Sequence, residues 1–220
     1  MIFINFKTYE QGSGASAIEL VKQLEGVAFD TQVKTIPVVQ ATDIKEVVGI
    51  TKLEVWTQKI DPVDYGAHTG AVLPEAVVED GASGTFLNHS ECKFEDYQSL
   101  KKAIKRCDEL DLKTLVFAAN IDDLEKVLKF KPTFVAYEPP EFVGSETTSV
   151  AKENPEIISE AVARSKAYGM PLVVGAGIKS EEDVRKCLEL GAVGIAVASD
   201  IVKSDDPIKE YTNLIEGFRG

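Results

Sequence analysis

Eight short runs rich in β-branched and aromatic residues alternate with longer stretches of helical spacing along this 220-residue chain. Strands separated by helices pair in parallel, because each crossover returns the chain to the same end of the sheet, so the alternation restricts the fold to βα units. The runs lie at residues 2–6, 36–39, 53–57, 84–87, 114–117, 134–137, 171–174 and 193–197, and the third is the least hydrophobic. Helical spacing covers 15–24, 96–110, 122–130, 155–168, 181–190 and 207–218, with shorter second and third helices between strands. Boundary residues agree with this reading. Asn154 precedes Pro155 as an N-cap before a proline at N1, Ser180 precedes the acidic run Glu181, Glu182 and Asp183, and Gly169 and Gly191 stand where a left-handed residue ends a helix. The units average roughly 27 residues, lean for a barrel of about 250, so loops and some helices must be trimmed. No linker interrupts the series, and one domain over 1–220, a (β/α)8 barrel, is expected. An open doubly wound sheet would ordinarily carry a glycine-rich nucleotide turn after strand one. Gly12 and Gly14 follow that strand, but no third glycine completes the pattern.

Composition narrows the function. At 44% hydrophobic and 27% charged residues the chain can bury a substantial core. A formal charge of -12 argues against a nucleic-acid or anionic-membrane surface, both of which call for clustered Lys and Arg. The apolar stretches fall far short of the roughly 18 residues that span a bilayer, and Met1 leads straight into a strand without a basic leader. A cytoplasmic enzyme is expected. Cys92, Cys107 and Cys187 are widely spaced and odd in number, which suggests neither a disulfide framework nor a zinc site; no metal and no cofactor are expected.

In such a barrel the C-terminal ends of the strands share one mouth, and polar residues there are candidates for catalysis. After strand one, the period of two sets Asn5 and Lys7 on one face and Ile4 and Phe6 on the other, so Lys7 enters the mouth if Ile4 and Phe6 pack under the helices. A solvated lysine is the alternative. After strand four, His89, one of two histidines in the chain, lies in the polar cluster Asn88-His89-Ser90-Glu91. If Ser90 and Glu91 open a helical turn, its positive end keeps the imidazole neutral; otherwise His89 is a structural hydrogen-bonding residue. After strand six, Glu138 closes an apolar run and is followed by Pro139, Pro140 and a Gly, Ser and Thr rich segment, the design of a lid on stiff hinges or else of a plain surface loop. Gly175-Ala176-Gly177 and Ala198-Ser199 end strands seven and eight, where small residues either let backbone N–H groups approach an anion or simply make tight turns.

Taken together, Asn5-x-Lys7, Asn88-His89-Ser90-Glu91, Ala136-Tyr137-Glu138-Pro139 and Gly175-Ala176-Gly177 resemble triosephosphate isomerase in order and spacing over the entire chain. The resemblance implies a (β/α)8 TIM barrel that interconverts glyceraldehyde 3-phosphate and dihydroxyacetone phosphate without a cofactor. It implies that Glu138 is the base and His89 the neutral electrophile, that Asn5 and Lys7 contact substrate, and that Glu91 pairs with Lys7. Val143 and Gly144 in the lid, with Gly177, Ala198 and Ser199, would hold the phosphate dianion. The segment from Tyr65 to Gly70 resembles the family loop that enters a neighbouring subunit and brings a Thr, here Thr69, near that subunit's lysine. Pro140-Glu141-Phe142 in place of Val-Trp, and Asn88 in place of Gly, resemble archaeal members, which favours a homotetramer over a dimer.

Two other readings compete. A metal-dependent pentulose-phosphate epimerase or a prenyl transferase acting on glycerol phosphate would share only the phosphate end, and the former needs more metal ligands than two histidines readily supply. A catalytically dead barrel kept as a scaffold would not need Lys7, His89 and Glu138 together.

Overall fold

The computed structural model describes residues 1–140 and 150–219, without the side chain of residue 150. Eight parallel strands close into a barrel in sequence order: β1 (Ile2–Asn5), β2 (Thr35–Val39), β3 (Trp56–Thr57), β4 (Gly84–Leu87), β5 (Lys113–Ala118), β6 (Phe134–Tyr137), β7 (Leu172–Val174) and β8 (Gly194–Val197), with β8 pairing back on β1. Around them run α1 (Gly14–Thr31), α2 (Ile44–Val48), α3 (Pro74–Glu79), α4 (Tyr97–Glu109), α5 (Ile121–Leu128), α6 (Val150–Glu153), α7 (Pro155–Ala167), α8 (Glu181–Glu189), α9 (Ser199–Val202) and α10 (Pro207–Glu216).

Alternation along the strands sorts the core into two shells. Ile2, Ile4, Phe6, Val39, Val116, Val135 and Tyr137 face the helices, where they meet Leu20, Leu24, Leu100, Leu124, Ile158, Val184 and Leu214. Phe3, Ile36, Val38, Trp56, Phe86, Leu115, Phe117, Ala136, Val173 and Ala196 fill the barrel itself. The interior is unusually aromatic: Phe3 meets Trp56 at 5.0 Å and Phe86 meets Phe117 at 4.9 Å between ring centroids, both edge to face. Trp56 has space because its register partner on β4 is Gly84, where an added Cβ would lie 2.2 Å from Cε2 of the indole. Gly84→Ala is therefore expected to lower unfolding free energy by about 1–3 kcal/mol through overpacking, as read from urea denaturation.

Helix ends follow their capping chemistry. Asp96, Asn120, Asn154 and Asp206 accept from backbone N–H groups of the first turns of α4, α5, α7 and α10, and Ser180 with Asp183 forms a reciprocal capping box on α8. Gly169 and Gly191 adopt φ of 72° and 98°, the left-handed exits expected after α7 and α8.

The short helices α6 and α9 were not expected, and two expected elements differ in extent. Helical spacing stopped at residue 24, yet α1 continues to Thr31, because Ala28 extends the buried stripe of Leu20, Val21 and Leu24 past Gly26. Strand three was expected over 53–57 and pairs only at Trp56–Thr57. Its first half is drawn to the bottom of the barrel, where the Glu54 carboxylate accepts from Trp56 Nε1 at 2.9 Å and Lys113 Nζ at 2.9 Å and pairs with Lys34 at 2.7 Å.

Candidate active site

A cavity opens at the C-terminal mouth of the barrel, and eight of the residues singled out from sequence line it: Asn5, Lys7, His89, Glu138, Gly175, Gly177, Ala198 and Ser199. Strand geometry explains most of this. Phe3 and Ala136 point into the barrel, so Asn5 and Glu138, two positions further on, emerge above them. Ile4 and Phe6 pack under the helices, as the placement of Lys7 required.

His89 needs a different account. Phe86 is interior, so strict alternation would aim Asn88 into the mouth and turn His89 away. Asn88 instead adopts φ of 60°, its Nδ2 donating to the carbonyl of Phe117 at 3.0 Å and its Oδ1 accepting from Phe94 N–H at 3.3 Å. This left-handed residue resets the alternation and swings His89 inward. Asn tolerates the conformation that Gly adopts freely, whereas a β-branched residue does not. Asn88→Gly should accordingly retain most turnover, while Asn88→Val should lower kcat at least about tenfold by displacing the imidazole, as steady-state kinetics would register.

The expected helical turn after His89 is a single reverse turn closed by Cys92 N–H on the His89 carbonyl at 2.8 Å. Its effect on the ring is specific: Glu91 N–H donates to His89 Nδ1 at 3.1 Å. An Nδ1 that accepts leaves the proton on Nε2. The ring is buried against Phe117, 4.8 Å between centroids, and burial, with Lys7 adding to it against an opposing pull from Glu91, pushes its pKa down from 6.5 to about 4. At neutral pH it is an uncharged imidazole presenting Nε2–H.

Nε2 of His89 lies 3.6 Å from Glu138 Oε2. Glu138 is 5% exposed, and burial raises its pKa from 4.5 to about 7, opposed by the Ser90 hydroxyl, which donates to Oε2 at 3.0 Å, and by the charge of Lys7. Gly175 keeps the other oxygen uncrowded, since a Cβ there would come within 3.3 Å of Oε1. A carboxylate poised near neutrality beside a neutral hydrogen-bond donor is suited to taking a proton from carbon while the adjacent oxygen is stabilised.

Lys7 Nζ donates to Glu91 Oε1 at 2.7 Å on the edge of the cavity. At the opposite end Gly177, Ala198 and Ser199 line the wall, the last two at the start of α9, whose first N–H groups have no partner within the helix. Thr69 is not brought to the site; it sits in a fully exposed stretch, Asp64 through Gly70. Val143, Gly144 and the proposed lid lie outside the described residues. Sequence reasoning missed the cavity floor, Phe86 and Phe117, which alternation could have found, and Lys179 and Asp200, paired at 3.7 Å beside the glycine turn and α9. Among the described residues no three His, Cys, Asp or Glu side chains converge as metal ligands, as an epimerase of the metal-dependent kind would need.

The barrel and its mouth define a proton-transferring enzyme for a small anionic substrate. Residues 1–217 match the family model described as triosephosphate isomerase. The chain is 41% identical over 219 residues to the triosephosphate isomerase of Sulfurisphaera tokodaii, covering 99% of this chain and 93% of that one, and 38% identical over 217 residues to that of Methanobacterium bryantii, covering 98% and 95%. A solved triosephosphate isomerase from Bartonella henselae superposes with a TM-score of 0.77 over 100% of this chain and 98% of its own, at 16% identity, a likeness of fold. The chain belongs to the triosephosphate isomerase family, and it is an intramolecular isomerase.

Proposed function

We propose that Glu138, His89 and Lys7 carry the interconversion of D-glyceraldehyde 3-phosphate and dihydroxyacetone phosphate in this chain. Glu138 removes the C2 proton of the aldehyde, and the electron pair becomes the C1–C2 double bond of an enediolate. His89 Nε2–H stabilises the developing charge on the carbonyl oxygen and passes the hydroxyl proton between O2 and O1. Glu138 then returns a proton to C1, which leaves the ketone and regenerates the base. Lys7 and Asn5 hold the substrate oxygens, Glu91 holds the Lys7 ammonium in place, and Gly177, Ala198 and Ser199 bind the phosphate through backbone N–H groups.

The observation that carries this reading is the pairing across one cavity of a buried carboxylate with pKa near 7 and a neutral imidazole whose Nε2 is 3.6 Å away. Interconversion of the two trioses by the purified chain, compared with Glu138→Asp, tests it. Absence of turnover in the parent removes the assignment.

The reading extends to assembly and location. The chain forms a homotetramer in the cytoplasm, and the loop bearing Thr69 reaches the Lys7 side of another subunit. Supporting this, Tyr65 in that loop is 70% exposed, which is unusual for a large aromatic side chain. No helix of the described residues is long and apolar enough to cross a membrane, and all three cysteines are free. Sedimentation velocity at micromolar concentration should give a tetramer; a monomer or dimer contradicts it.

A further inference from the structure

We propose that Gln58 is a positioning residue for this reaction: it clamps the Lys7 backbone in a left-handed conformation so that the ammonium group stays over the cavity. The inference rests on Lys7 being a substrate contact. Lys7 has φ of 48°, a region that costs a residue bearing Cβ about 1–2 kcal/mol, and it lies beyond the end of β1, where ladder pairing no longer holds it.

Side chains take over from the ladder. The Lys7 N–H donates to Asn5 Oδ1 at 3.0 Å, and the Lys7 carbonyl accepts from Gln58 Nε2 at 2.7 Å. Asn5 belongs to the same strand, so its bond alone would let the local turn rotate as a unit. Gln58 comes from the end of β3, 51 residues away, and its own N–H is bonded to the Val39 carbonyl at 3.1 Å on β2. The Lys7 peptide is thereby tied across three strands. If Lys7 relaxed to an ordinary β or right-handed conformation, both bonds would break, the Cα–Cβ vector would turn, and the pairing of Nζ with Glu91 would be lost. Gln58 borders the hollow shared by Lys7, His89 and Glu91, yet its amide faces a backbone carbonyl. It therefore acts through Lys7. The position calls for both a donor and this side-chain length: a carboxylate would set an acceptor against an acceptor.

The test is a double-mutant cycle in kcat/KM with Gln58→Leu, Lys7→Ala and the pair, thermal unfolding being followed in parallel. Gln58→Leu should lower kcat/KM about tenfold or more in the parent and less than about twofold in the Lys7→Ala background, where nothing is left to position. Gln58→Glu, which keeps the side-chain shape, should give the same pattern and reads the clamp where the Leu variant does not fold. An equal factor in both backgrounds signifies a merely structural role and overturns the proposal, as does an unchanged kcat/KM in the Gln58 variants beside a crippled Lys7→Ala. Full activity in Lys7→Ala overturns the Lys7 assignment itself, and the clamp with it.

Discussion

Glu138→Gln loses at least about 10³-fold in kcat, because general acid–base catalysis by a placed side chain contributes about 10²–10⁴-fold and here one group performs both transfers. The amide keeps the shape of the carboxylate and still accepts from Ser90, so the cavity persists and KM changes little. Glu138→Asp is milder in chemistry and still costly in placement: the carboxylate withdraws by one methylene, and an error of about 1 Å is worth about a hundredfold. Steady-state kinetics on both variants separate these contributions. A rise in KM with kcat intact would show that Glu138 binds and does not transfer.

The second large effect is in pH. Burial holds the Glu138 carboxyl up to about 7 and the His89 imidazole down to about 4. The base works ionised, so kcat/KM falls about tenfold for each pH step below about 7, and no second limb from His89 appears until near pH 4. Stability moves the other way. In the unfolded chain the carboxyl ionises near 4.5 and in the folded chain near 7, so between these values the native state retains a proton that the unfolded state has released. Stability from this group is fully present below about 4.5 and is lost as pH rises through 7, by roughly 3 kcal/mol at most. His89 acts oppositely, its contribution being present above 6.5 and lost as pH falls toward 4. Urea unfolding of the parent and of Glu138→Gln should therefore converge at pH 4.5 and diverge at pH 8, where the amide variant is the more stable. Equal stabilities at pH 8 would mean that the ionised carboxylate is better solvated than its 5% exposure implies.

The same side chains show how far sequence alone carries the argument. Glu138 and Asn5 were legible because each stands two residues beyond an inward-facing apolar residue, and strand alternation does the rest. His89 was legible as a polar residue after β4, but its direction was not, since it depends on the left-handed φ of Asn88 and on bonds to Phe117 and Phe94 from β5 and a following loop. The strain at Lys7 and the Gln58 bond that holds it are equally non-local. Strand three was overestimated for a related reason: Glu54, which reads as part of an extended run, is captured by Lys34 and Lys113 from other parts of the chain. Periodicity reports which face a residue occupies within its own element, and it is silent where another element decides.

Everything in the chemistry depends on an amine, an imidazole and a carboxylate meeting one three-carbon molecule. A crystal structure of the chain with a bound triose phosphate tests this directly. It should place Glu138 within about 3–3.5 Å of both C1 and C2, His89 Nε2 in hydrogen-bond contact with O1 or O2, and Lys7 Nζ on a substrate oxygen. A triose phosphate bound in the cavity with either Glu138 or His89 out of reach of those atoms would contradict the account.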